Sequence, residues 1–125
     1  MKVLSFEQPK IIEPVGNGSY RYRFNITEIT PEDSERRPYW EYDEVIVWQP
    51  FTANDITKAV IEYLWPASYE QKLLNEYNAA KLGVYDADKA SQKIEEYKSF
   101  LEQREAVKEK VDKDYKKMRN YDFRF

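Results

Sequence analysis

"GSYRYRFNITEI", Gly18 to Ile29, alternates almost without a break. Tyr20, Tyr22, Phe24 and Ile26 fall on one side, and Arg21, Arg23, Asn25 and Thr27 on the other. A period of two is that of a β-strand. Two uses of such a strand compete. One is a nucleic-acid platform, with aromatics stacking on bases and arginines meeting phosphates. The other is a core strand that keeps its arginines outside. A platform needs its aromatic rings in solvent, whereas these share a face with Ile26, so the core strand is the expected reading.

Upstream, Gly16-Asn17-Gly18 is a turn signal that joins a short strand near Lys10–Glu13 to the strand starting at Ser19. Downstream, the polar loop "PEDSERRP" (Pro31–Pro38) leads into "YWEYDEVIVWQ", a third strand. Within it Trp40, Tyr42, Ile46 and Trp48 share one face and read as counterparts of the aromatic face before them. Cross-strand aromatic pairs of this kind contribute up to roughly 1 kcal/mol each. An antiparallel meander with one aromatic face follows. The run Val45-Ile46-Val47-Trp48 departs from alternation, which implies local cover on both faces.

All six prolines lie at or before Pro66, and nearly all of the remaining chain is free of helix breakers. After Pro50 the period changes: Ile56, Ala59, Val60, Tyr63 and Leu64 make the stripe of an amphipathic helix. Thr52 or Asn54 can cap it, and Trp65-Pro66 ends it. Ser68 with Gln71 offers a capping box for a second helix, striped by Tyr69, Leu73, Tyr77 and Ala80 and closed by Gly83. A third helix starts at Asp86 or Asp88 and runs towards Asn120, with Ile94, Tyr97, Leu101, Val107, Val111, Tyr115 and Met118 at helical spacing. At 1.5 Å per residue it is about 45–50 Å long, so its far end is expected to project, pair with another chain or fray. The fold class is therefore α+β: a small antiparallel meander packed on a helix, then a long antiparallel helical hairpin. Residues 1–66 hold the meander and first helix, and residues 67–125 the hairpin with its charged end, in one continuous domain.

Composition narrows the function. Apolar residues are 42% and aromatics 16%, unlike a disordered chain, while 34% charged residues imply a large wetted surface. The net charge of −3 opposes general nucleic-acid binding, which relies on excess Lys and Arg. With no cysteine there is no disulfide or thiolate chemistry, and with no histidine the usual base near neutral pH is missing. Glu41 and Asp43 could pair for acid–base work or a hard cation, but nothing nearby makes that specific and a solvated strand edge is the expected reading. No catalytic, cofactor or metal residues are assigned, and a non-enzymatic protein is expected. The start MKVLSFEQPK has no signal-like apolar run and no stretch could span a bilayer, so a bacterial cytoplasmic or particle location is expected.

The stretch "WQPFTANDITKAVIEYLWPASYEQKLLNEYNAAKLGVYD" (Trp48–Asp86), followed by "YKSFLEQREAVKEKVDKDY", resembles small proteins encoded in prophages of gut anaerobic bacteria. In that group a "GSYRYRFNI"-like segment precedes the helical part. The helical end is also similar to segments of phage tail-fibre and tail-assembly accessory proteins. The resemblance implies a phage or mobile-element origin and carries no residue roles. Two candidate surfaces follow from the residues themselves. Val45, Val47, Ile61 and Trp65 are apolar positions outside the main stripes. Either the helical hairpin folds back over them, which is the expected reading, or another subunit covers them. Together with Val111, Tyr115 and Met118 of the third helix's sparse stripe they are the candidate contacts for a protein partner or self-association. Arg21, Arg23, Lys116, Lys117 and Arg119 are the alternative contacts to nucleic acid. The aromatic stretch Tyr121-Asp122-Phe123-Arg124-Phe125 is expected to dock on a neighbour or fold back.

Overall fold

Four strands form one antiparallel sheet in the order β1-β4-β3-β2: β1 is Val3–Ser5, β2 Ile12–Pro14, β3 Ser19–Ile29 and β4 Tyr39–Trp48. The computed structural model describes residues 2–33 and 35–122, with side chains up to residue 119, so the terminal aromatic stretch lies outside the described side chains. The meander β2-β3-β4 matches the sequence reading. Its first turn holds Gly16 at φ +96° and Gly18 at φ +89°; a side chain there would meet nothing within 4 Å, so backbone conformation alone calls for glycine. Strand β1 was not expected: three residues are too few for alternation to register, and it is fixed by pairing along β4.

The register corrects the reading of β4. Tyr20 lies opposite Val47, Tyr22 opposite Val45 and Phe24 opposite Asp43. Opposed residues share a face, so Val45 and Val47, not Trp40, Tyr42, Ile46 and Trp48, join the aromatic side. Those four lie with the arginines on the face that no helix covers. Tyr42 is buried there beneath the Arg23 guanidinium, 5.5 Å from its ring centre, while Ile46 and Trp48 are 50% and 60% exposed. Beyond Phe24 the pairing slips, with Thr27 opposite Glu41, so three steps of β3 match two of β4. This bulge takes Ile26 off the face of Phe24, and Asn25 adopts φ +53° within it.

Helix α1 (Ala53–Leu64) begins with a full capping box, Thr52 and Asp55 each bonding the other's backbone N–H, and stops at extended Trp65 before Pro66. It buries Ile56 and Val60 against Tyr22, Phe24, Val45 and Val47. Helix α2 (Ala67–Lys81) starts two residues earlier than Ser68 could cap. Its N-cap is Pro66, which offers no side-chain bond, and the Gln71 amide instead donates to Asn75. Gly83 at φ +78° ends that turn, and the Asp86 carboxylate accepts the Lys89 N–H at 2.9 Å to start α3 (Ala87–Asp122).

Helix α3 is about 54 Å long, and its far half does not project. Its first half lies along α2, with Tyr77 on Tyr97 at 4.9 Å and Phe100 against Trp65 and Tyr69 at 5.2 and 6.1 Å. Lys93 binds Glu76 at 2.9 Å across the same seam. The second half continues over the sheet, where Val111 is 1% exposed within the core and Val107 and Tyr115 pack beside it. The helix reaches far enough because α1 and the sheet extend the surface that α2 alone would offer. The core therefore draws on both the 1–66 and the 67–125 segments.

Candidate functional site

The expected contact residues divide sharply once folded. Val45, Val47 and Val111 are core side chains under α1 and α3 and cannot meet a partner, which corrects their assignment as surface candidates. Trp65 is half-buried against Phe100, and Ile61 lines a small cleft between α1 and α3 with Thr57, Leu101 and Lys108. The folded-back α3 thus accounts for the second apolar stripe of α1. Tyr115 is half-buried, its ring 6.1 Å from that of Phe51 and its hydroxyl donating to the Phe51 carbonyl at 3.3 Å. Met118 lines a cleft between α3 and the β2 edge with Ile12, Tyr20 and Lys117.

The basic candidates do not assemble into one surface. Arg21 binds Glu44 at 2.6 Å, and Arg23 binds Glu44 and Glu13, each at 3.1 Å. Burial opposes the Arg23 charge, yet its bonds to Glu44 and Glu13 hold its pKa above the ordinary arginine value. Both arginines lie on the open face of the sheet. Lys116, Lys117 and Arg119 are exposed on α3, on the opposite side, and Arg119 sits 5.9 Å from the Tyr115 ring. A phosphate at Arg21 or Arg23 would have to displace a glutamate already seated there.

Asp43 is the most heavily bonded carboxylate of the sheet. It is 6% exposed and accepts from Lys2 Nζ at 3.1 Å, Asn25 Nδ2 at 3.0 Å and Tyr63 Oη at 2.8 Å. Burial would raise its pKa, but those three donors hold it below the usual carboxylate range. Its chemistry is structural: it ties the N-terminal strand, the bulge and α1 together. A second internal link joins Tyr22 Oη to Asp114 at 2.6 Å, with Lys110 Nζ on the same carboxylate oxygen at 2.7 Å. Burial first, then Asp114, pushes the Tyr22 phenol well above the ordinary tyrosine range. Among the described residues no group of three or more acidic or other ligand side chains could hold a metal ion, and no helix is long and apolar enough to cross a membrane.

Two surfaces remain. One is the open sheet face around Ile46 and Trp48. The other is a groove of about 530 Å³ at the β1 end of the sheet, lined by Leu4, Ser5, Phe6, Pro31, Arg36, Arg37 and Tyr39. Leu4 and Phe6 are each 61% exposed, and the Arg37 guanidinium lies 4.8 Å from the Phe6 ring centre. Sequence reasoning missed both surfaces. Glu44 was the available signal for the first, since it shares the parity of Ile46 and Trp48 and is the natural partner of Arg21 and Arg23. Comparison with known proteins finds no matching family model, no similar curated protein and no matching solved structure.

Proposed function

We propose that this is a non-enzymatic accessory protein of phage or prophage origin that acts through protein–protein contacts, with the open face of the sheet as its principal contact surface. The observation that carries this reading is the half-exposed pair Ile46 and Trp48 on a rigid, helix-free sheet face. A tryptophan anchor ringed by satisfied polar groups has the anatomy of an interface centre. Here the ring is the Arg21–Glu44–Arg23–Glu13 network, whose charges are already paired and add little desolvation of unpaired groups on docking. The phage origin is supported by the sequence resemblance, as is a setting in tail or particle assembly. The non-enzymatic reading is supported by the titratable groups with shifted pKa values, which are occupied by structural partners such as Asp43 with Lys2 and Glu76 with Lys93.

Light scattering after size exclusion, over a range of concentrations, tests the contact. The wild type should rise above its 15.1 kDa monomer mass, and Ile46→Ser with Trp48→Ser should return it to monomer with unchanged circular dichroism. A wild type that stays monomeric throughout would remove self-assembly through this face.

A further inference from the structure

The helix-facing side of the sheet extends further than the helices that cover it. On β4 that side carries Val47, Val45, Asp43, Glu41 and Tyr39, in line with the register to β3. Cover ends where Tyr63 of α1 bonds Asp43. Past that point Leu4, paired opposite Glu41, and Tyr39 continue the same surface without a helix above them. Phe6 and Pro31 complete an apolar floor, and Arg36 and Arg37 stand beside it.

The arginines set this groove apart. Arg21, Arg23 and Arg104 are each paired with a glutamate, whereas Arg36 and Arg37 have no carboxylate within ion-pair distance among the described residues. That holds although Glu32, Asp33 and Glu35 are their close neighbours in sequence. The groove also runs along β1, an edge strand bonded on one side only, to β4. An apolar floor, two guanidiniums lacking a counter-charge and a strand edge without a partner strand lie together.

We propose that β1 accepts an extended acidic peptide segment of a partner protein as a fifth strand. An apolar side chain of that segment enters the groove, and a carboxylate two residues along meets Arg36 and Arg37. Residues two apart on a strand point to the same side, so one segment satisfies both features. Main-chain bonds to β1 supply registration, and the arginines select acidic over basic sequences. This contact uses the opposite side of the sheet from Ile46 and Trp48 and stands or falls separately from them.

The test is a titration of the isotopically labelled full chain, followed by two-dimensional NMR, with a blocked heptapeptide alternating threonine with leucine, glutamate and leucine. Expected are shifts and slowed hydrogen exchange at the amides of Val3–Phe6, and binding at least about tenfold weaker in Arg36→Glu/Arg37→Glu. Trp48→Ser should bind as the wild type does. Equal binding of a lysine-for-glutamate peptide would overturn the proposal, as would the absence of any change at β1. Octanoate shifting the groove signals while the peptide leaves the β1 amides unprotected would also overturn strand addition, marking a site for small amphiphiles instead.

Discussion

Between Ala87 and Arg104, α3 is one arm of a hairpin; between Val107 and Tyr115, it is a wall of the core. The first half packs mainly on α2, touching the end of α1 at Trp65 and Ile61, through aromatic edges and ion pairs such as Lys93–Glu76 and the more exposed Arg104–Glu70. Only Phe100 is deeply buried there, at 4%. The second half meets strands and a helix at once, and buries Val111 completely with an internal polar link at Asp114. Both halves are highly charged and sparsely apolar, so what separates them is the number of surfaces each can reach. Val111 is thereby sealed between sheet and helix, whereas Phe100 packs on Trp65 and Tyr69 at the rim of the hairpin.

Val111→Asp is the sharpest way to break the contrast. An unpaired charge would sit among Tyr22, Ile56 and Val60, and about 4 kcal/mol or more of stability should be lost, measured by urea unfolding. Phe100→Ala comes next, at about 3 kcal/mol for removal of a buried ring. Its damage should stay local: hydrogen exchange is expected to speed up in α2 and the first half of α3 while the amides of β3 and β4 remain protected. Equal loss of protection in the sheet would mean that the two halves are one cooperative unit.

The smallest effect is the most specific. Tyr22→Phe removes one donor from Asp114 but leaves Lys110 in place, and should cost about 1 kcal/mol at neutral pH. The folded-state pKa of Tyr22 lies above its unfolded value of about 10. The folded state therefore binds the phenol proton more tightly, and this contribution is complete below about pH 10 and lost as pH rises further. Wild type should lose stability more steeply than Tyr22→Phe between about pH 10 and 12. Parallel curves would show that the buried phenol gives no such linkage.

The same contrast explains what was legible in the sequence. The α+β class, the β2-β3-β4 meander, the Thr52 cap and the Gly83 turn rest on local chemistry, and the structure agrees with each. The parity of β4 was not legible from hydrophobicity, because Ile46 and Trp48 are larger and more apolar than Val45 and Val47, which are the ones buried. Register decides it, with Glu44 placed among the arginines. The course of the far half of α3 was hidden for a related reason. Val107, Val111 and Tyr115 form too thin a stripe to announce a core, and Asp114 reads as surface until Tyr22 is seen across from it. The candidate contact residues failed where burial depends on such distant partners, and the β1 groove escaped notice because its floor comes from three separate segments.

The Tyr22–Asp114 bond joins positions 92 residues apart, and that separation has a consequence for how the chain is made. Synthesis runs from the sheet towards α3, so Tyr22, Phe24, Val45, Val47, Ile56 and Val60 all leave the ribosome before the residue that seals them. At about 5–20 residues per second, several seconds separate Ile56 from Val111. Throughout that interval the apolar face of the sheet and α1 lacks the wall that α3 supplies, so burial of the first-made core residues waits on the last-made helix.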